Sequence, residues 1–283
     1  MGATPVHATR RLSPELVEHA RSFLAGERRA VPPRPAATVV LLRDADAGPE
    51  VYLLRRHRRM AFAAGMYAFP GGTVDPRDAD ADVAWAGPEP ATWAAVLACD
   101  EREARALVCA AVRETFEESG VLFAGTSASS IVSDTTGEGW EQDRGALVDR
   151  SLAFGELLDR RGLVLRSDLL VAWAHWITPE FEPRRYDTRF FLATMPAGQR
   201  TRDVSGEADT VTWMSPAAAV AGVDDGDMAM LPPTYVTVKE LAAYTSSDKA
   251  WAAGIGRRIT TIIPGVELEG GEGFLTLDES VLP

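Results

Sequence analysis

Residues 112–121 read VRETFEESGV, placing Arg113, Glu114, Glu117 and Glu118 within six positions of an otherwise alanine-rich stretch. On a helix, residues three and four apart are neighbours, so the three glutamates share one side. Like charges at that spacing cost about 0.2–0.5 kcal/mol per pair. A bound divalent cation would offset the repulsion. Upstream, Phe69-Pro70-Gly71-Gly72 ends a strand-like segment. A glycine pair lets the backbone turn tightly and bring a carbonyl oxygen close to an ion. Carbonyl plus carboxylate oxygens is hard-cation chemistry, suited to Mg2+ or Mn2+.

The elements that must hold these groups are legible in outline. Ser13-Pro14-Glu15 reads as an N-cap, a proline at the first helical position and a first-turn acid, predicting a helix over about 14–26. AATVVLLRD (36–44) and EVYLLRR (50–56) flank the turn-like ADAGP and read as a β-hairpin. From Asp75 to about Pro90 the chain turns to Asp, Ala, Pro and Gly, the composition of a surface insertion. Helical periodicity resumes near 91 and again from about 101 into the acidic cluster, with Gly120 as its stop. A Ser-, Thr- and Gly-rich run (125–138) reads as a mobile loop and 139–162 as helical. Strands follow at 169–177, 187–195 and 209–215, helices from Pro216 and Thr234, and a final hairpin whose arms are TTIIPGVEL and GFLTL. Strands and helices in this order predict a mixed sheet covered on both sides. Trp173, Trp176, Trp213, Phe190 and Phe191 read as core, and His175 has no catalytic assignment.

Gly72, followed by Arg113-Glu114-Thr115-Phe116-Glu117-Glu118-Ser119-Gly120-Val121, resembles the Nudix box, G-x5-E-x7-R-E-U-x-E-E-x-G-U. Two departures stand out. Thr115 occupies a position that usually holds a larger aliphatic residue. The sixth position after Gly72 is Asp78, and 34 residues rather than seven separate it from Arg113. The expanded box resembles the branch of Nudix hydrolases typified by peroxisomal coenzyme A diphosphatases of animals. CAAVRETFEESGVLF, AWAHWITPEFEPRRYDTRFFLA and MLPPTYVTVKELA extend that likeness over most of residues 36–245.

The resemblance implies an α/β (α+β) fold, a Nudix-type α/β/α sandwich around a mixed β-sheet. Residues 1–35 would be an N-terminal helix and linker. Residues 36–283 would be one Nudix hydrolase domain with an insertion at about 76–103 and a C-terminal hairpin at about 258–280. It further implies metal-dependent hydrolysis of the pyrophosphate bond of a nucleoside diphosphate linked to another moiety. The leading substrate is coenzyme A or acyl-CoA, giving 3',5'-ADP and phosphopantetheine products. The alternatives are ADP-ribose, NADH or a nucleotide sugar, and, outside catalysis, a nucleotide-sensing domain.

By the same resemblance Glu114 and Glu118 are direct ligands of Mg2+ (or Mn2+), Glu117 shares the site, and the Gly72 carbonyl adds an oxygen. Arg113 would orient the glutamates, with its own partner open among Asp78, Glu101 and Glu103. A general base is still required, and Glu207 and Glu117 are its candidates. Within the basic run Arg55-Arg56-His57-Arg58-Arg59, alternation from Tyr52 and Leu54 selects Arg56 for substrate. Gly65 fits a relaxed form of the signature of coenzyme A-directed members, and Tyr186, Asp187 and Arg189 are placed on the far side of the pocket.

The totals exclude other classes. A formal charge of −12 argues against nucleic acid and anionic membrane as partners. Two cysteines, Cys99 and Cys109, give no disulfide framework. No run approaches the roughly 18 apolar residues of a membrane span, and MGATPVHATRR lacks the apolar centre of a signal peptide. These features predict a cytoplasmic protein, and the resemblance implies a small-molecule nucleotide as its substrate and allows a homodimer.

Overall fold

A computed structural model describes residues 11–57, 63–80, 83–203, 206 and 208–277. Helix α1 (Pro14–Leu24) starts as its sequence dictates: Ser13 Oγ accepts from the Leu16 N–H and Pro14 fills the first position. Strands β1 (Arg34–Ala45) and β2 (Gly48–Arg56) form the expected hairpin, pairing Ala45 with Gly48. Short strands β3 (Tyr67–Ala68) and β4 (Gly71–Thr73) lead into α2 (Pro76–Asp80), β5 (Trp85–Ala86), α3 (Pro90–Leu97) and α4 (Glu101–Ser119). Then come β6 (Ala124–Gly125), α5 (Glu138–Val148), α6 (Phe154–Arg161), β7 (Val164–Arg166), β8 (Val171–Ile177), β9 (Tyr186–Thr194) and β10 (Ala208–Met214). The chain closes with α7 (Pro216–Asp224), α8 (Pro232–Leu241), α9 (Ser247–Gly254), β11 (Thr261–Ile262), β12 (Gly265–Glu269) and β13 (Glu272–Thr276).

Among the described residues the main sheet runs β10-β2-β1-β9-β8-β11, with β3 added to β2 and β4 to β1. It is mixed: β1 pairs with β9, and β8 with β11, in parallel, while the other pairings are antiparallel. Strand β1 is apolar almost throughout because both its faces are covered. Val39 and Leu41 pack with Leu107, Val108, Ala111 and Phe116 of α4. Val40 and Leu42 pack on the other side with Ala219 of α7, Val238 of α8 and Ala250 of α9. The architecture is the α/β/α sandwich with a mixed sheet. Trp173 (0% exposed) and Trp176 (3%) are core, as are Phe190 and Phe191.

The structure departs from the sequence reading in four places. The insertion is not a surface excursion: Val83, Trp93 and Leu97 are buried in the core, with Trp93 edge-on to Phe191 at 5.6 Å. The helical stretch 139–162 is two helices, broken where Arg150 takes φ 64 without a glycine. The Ser-rich loop is tethered, since Thr135 is fully buried and donates to the Gly120 carbonyl at 2.6 Å. In the last hairpin, Thr261–Ile262 leaves to join β8 and only Gly265–Glu269 pairs with Glu272–Thr276. Pro264 lies between the two, without an N–H to continue a ladder. That hairpin meets α1 at the other end of the chain: Leu12, Val17, Ala20, Phe181 and Leu275 form one cluster, and the Leu12 N–H donates to the Gly273 carbonyl at 2.8 Å.

Candidate active site

Helix α4 carries the acidic cluster and is fixed at both ends. Asp100 caps it by accepting from the Glu103 N–H at 2.8 Å, and Gly120 ends it with φ 77. Thr115 is fully buried without an orphaned hydroxyl, because its Oγ1 donates to the Ala111 carbonyl at 2.7 Å. A polar residue is thereby tolerated where an aliphatic one was expected.

The last turns of α4 lie over β4, which pairs with β1 through Ala37–Gly72 and Thr38–Gly71. The contact is close enough that a side chain at residue 72 would have to displace Glu114. A Cβ on Gly72 would stand 2.5 Å from the carboxyl carbon of Glu114. Next to it, the Gly71 N–H donates to Glu118 Oε2 at 2.8 Å. The fold thus brings together residues 72, 114 and 118 across the insertion.

Arg113 organises the remainder. Its Nη1 donates to Glu114 Oε1 (2.7 Å) and Glu117 Oε1 (3.0 Å), and its Nη2 to the Thr73 carbonyl (2.9 Å). Nε and Nη2 also donate to Asp78, at 3.2 and 3.0 Å. Asp78, whose side chain is 1% exposed, is therefore the partner of Arg113; Glu101 and Glu103 do not take that place. The acid six positions after Gly72 keeps its role although its distance to Arg113 along the chain is far greater than in the usual box. Helix α2 carries it back against α4.

Charge in this cluster is unbalanced. Burial raises Glu114 to about 7, with Arg113 pulling down and Glu117 pushing up. Burial raises Glu117 as well, against the pull of Arg113. Burial alone would lower Arg113, but Glu114, Asp78 and Glu117 around it raise it instead. One guanidinium among four carboxylates leaves a deficit of positive charge.

Among the described residues, no three His, Cys, Asp or Glu side chains are gathered on a common point as a metal cluster. Glu118 is held by the Gly71 N–H, while Glu114 and Glu117 are held by Arg113. The donor set nevertheless fits a hard divalent cation: carboxylate oxygens, an excess of negative charge, and a glycine backbone against which Glu114 already lies.

These residues line a cavity of about 490 Å³. One wall holds Gly71, Gly72, Asp78 and Arg113 with the three glutamates, and three further arginines, Arg77, Arg144 and Arg150, also line it. Arg144 is tied to the main chain through the Glu117 carbonyl at 2.8 Å. A second wall comes from β8, β9 and the loop between them, including Trp176, Thr178, Glu182 and Tyr186. Sequence reasoning missed Arg77, Arg144, Arg150 and Glu182: Arg77 fills an unspecified position of the box beside Asp78, Glu182 lies within a stretch that carries only the likeness, and Arg144 and Arg150 stand far from the box.

Other expected residues are distributed as follows. Arg56 and Tyr186 line the cavity. Gly65 lies outside the lining, where φ 74 and a 2.9 Å bond from its N–H to the Arg56 carbonyl close a turn. Arg189 is also elsewhere: 4% exposed, it is bound to Asp187 and to His175 Nε2 (2.6 Å), and its Nε donates to the Leu97 carbonyl at 3.2 Å. It anchors the insertion rather than facing the cavity. Glu207, Arg58 and Arg59 fall outside the described residues.

Comparison with known proteins identifies the family. The family described as "NUDT19 Nudix domain" matches residues 96–241, just over half of the chain. The acyl-coenzyme A diphosphatase NUDT19 of Gallus gallus is 26% identical over 295 residues, covering 86% of this chain and 78% of that protein. The human protein of the same name is 24% identical over 254 residues, covering 75% of this chain. The chain spans 65% of the human relative and 60% of the Xenopus laevis one. Among solved structures, a Nudix hydrolase from Alicyclobacillus acidocaldarius superposes with a TM-score of 0.68 at 29% identity, over 78% of this chain and 96% of that one. Gly71, Gly72 and Asp78 precede the matched span and reach it only through the fold. With the carboxylate helix, the glycine pair and the arginine placed as described, the chain belongs to the Nudix hydrolases, in the NUDT19 Nudix domain family.

Proposed function

We propose that the protein is a magnesium- or manganese-dependent diphosphatase that hydrolyses coenzyme A or acyl-CoA to 3',5'-ADP and phosphopantetheine products. The observation that carries this reading is the convergence of Glu114 on Gly72 and of Glu118 on the Gly71 N–H at the wall of a cavity large enough for a nucleotide. The names of the chicken, frog and human relatives support the acyl-CoA substrate over ADP-ribose, NADH or a nucleotide sugar.

In this reading Glu114, Glu118 and the Gly72 carbonyl hold the metal, with Glu117 as a further ligand. When bound, the ion supplies charge neutralisation on the diphosphate and acidifies water. Arg113, clamped by Asp78, keeps Glu114 and Glu117 in position. Arg56 at the cavity wall, with Arg77, Arg144 and Arg150, offers guanidinium groups to phosphate oxygens. Water adds to one phosphorus, the bridging P–O bond breaks, and the proton lost by water passes to a carboxylate. Glu117 and Glu207 are the two candidates for that base, and separate Gln variants distinguish them by which one removes the acidic limb of the pH–rate profile.

The test is product analysis on coenzyme A, an acyl-CoA, ADP-ribose and NADH with magnesium, for wild type and Glu118→Gln. We expect two phosphate-bearing products from the CoA compounds. Loss of partners one shell beyond a metal commonly costs about 10–100-fold, so Glu118→Gln should lower kcat/KM by at least that much. Full activity in Glu118→Gln would remove the ligand assignment, and preference for ADP-ribose or NADH would remove the CoA reading.

A further inference from the structure

The loop between β8 and β9 is held at many points, and it places one carboxylate, Glu182, at the cavity with no hydrogen-bond or ion-pair partner among the described residues. Thr178 and Tyr186 close its base through a 2.9 Å backbone bond, and the Tyr186 N–H donates to Thr178 Oγ1 at 3.0 Å. Arg185, 8% exposed, straps it with Nε on the Thr178 carbonyl (3.0 Å) and Nη1 on the Val31 carbonyl (2.8 Å). Phe181 buries itself in the cluster shared by α1 and the β12–β13 hairpin. The Glu182 N–H donates to the Pro179 carbonyl at 3.2 Å, which fixes the backbone of Glu182 itself.

The side chain of Glu182 lines the cavity, and no described group gives it a hydrogen bond or an ion pair. Desolvation is the whole cause of its raised pKa, about 7; neither Arg113 nor the α4 glutamates register there. Glu182 is half-buried, and the cavity it lines also includes the apolar residues Trp176, Ile177, Pro179, Phe190 and Leu275. A carboxylate held in such surroundings without a partner is a standing cost to stability. A loop fastened this firmly could have turned it into solvent at little expense. The arrangement is that of a binding group kept ready for a donor arriving from outside.

We infer that Glu182 is a specificity-determining residue that accepts a hydrogen bond from a neutral N–H donor, an amide or an exocyclic amine, on the part of the substrate that is not the diphosphate. A neutral donor suits the site better than an ammonium group, which would lose its hydration shell against apolar walls. The inference rests on the diphosphatase reading for the identity of the substrate, though not for the existence of the acceptor. Pantetheine, with amide N–H groups, and adenosine, with an exocyclic amine, are the two sources of that chemistry.

The experiment is calorimetric titration of metal-free protein with pantetheine and with adenosine, for wild type, Glu182→Gln, Glu182→Leu and the control Glu180→Gln, whose residue is exposed and outside the cavity lining. Hydrogen bonds to charged groups contribute about 1.5–3 kcal/mol, so one of the two probes should bind roughly 10- to 100-fold more weakly to Glu182→Leu, with Glu182→Gln, which keeps a carbonyl acceptor, between it and wild type. It should bind Glu180→Gln as it binds wild type. Loss confined to pantetheine assigns the acceptor to the amide arm, and loss confined to adenosine assigns it to the base. Thermal melts of the same proteins at pH 8 show whether the variants are folded, and Glu182→Leu should melt at or above wild type. Wild type that binds neither probe, or variants that bind both as wild type does, would overturn the inference. Hydrolysis of the CoA panel by wild type is scored separately, so the diphosphatase reading can stand while this one falls, and the reverse.

Discussion

At Gly71 and Gly72 one added methyl group has two different consequences. The nearest atoms that a Cβ on Gly72 would meet are those of the Glu114 carboxylate, the far end of a flexible side chain. A Cβ on Gly71 would meet the Ala37 carbonyl oxygen at 2.6 Å and the Thr38 Cα at 2.8 Å, both backbone atoms. Gly72→Ala should therefore leave the melting temperature nearly unchanged while displacing Glu114 and lowering kcat by an order of magnitude or more. Gly71→Ala should cost about 1–3 kcal/mol in stability, as overpacking does. Paired melts and steady-state kinetics separate the two. Asp78 makes a related point. Removing one member of a buried ion pair costs about 3–5 kcal/mol because the other is left uncompensated. Asp78→Ala should show a loss of that order in urea unfolding, with kcat falling as Arg113 loosens. The milder Asp78→Asn, which keeps an acceptor, should recover part of both.

The elements explain which parts of this were legible beforehand. Helix α4 is legible from its helical periodicity and the Gly120 stop, and β1 and β2 from their β-branched and aliphatic runs, because those signals are local. The insertion did not, because its contribution is long-range. Asp78 acquires its meaning from Arg113, 35 residues away, and Trp93 from Phe191 on β9. A composition of Asp, Ala, Pro and Gly carries neither fact. For the same reason Arg189 was assigned to the cavity when its guanidinium holds the Leu97 carbonyl at the end of α3. The break between α5 and α6 was invisible because an arginine, not a glycine, takes the left-handed conformation there. Trp93→Ala tests whether the insertion belongs to the core. A loss of about 3–5 kcal/mol, typical of deleting a buried tryptophan, is expected, and a change under 1 kcal/mol would return the insertion to the surface.

For the molecule as a whole, Glu182 predicts a particular dependence of stability on pH. The folded state holds its proton up to about pH 7, the unfolded state only to its ordinary 4.5. Between those values the folded state binds more protons, so its stability falls as pH rises through that window and levels off above it. Glu182→Gln removes this contribution without altering the other acids. Urea midpoints at pH 5 and pH 8 should differ less in the variant than in wild type, and equal differences would show that the carboxylate is better solvated than its surroundings imply.

Docking of α1 on the β12–β13 hairpin also orders events in time. Leu12 and Leu275 share one apolar cluster although almost the whole chain separates them. During translation the apolar side of α1 can meet Phe181 first, and the cluster stays incomplete until the β12–β13 hairpin has been made. Leu275 also lines the cavity, so a polypeptide stalled short of that hairpin would lack part of the cavity wall and leave the apolar side of α1 partly uncovered, the kind of surface on which incomplete chains aggregate.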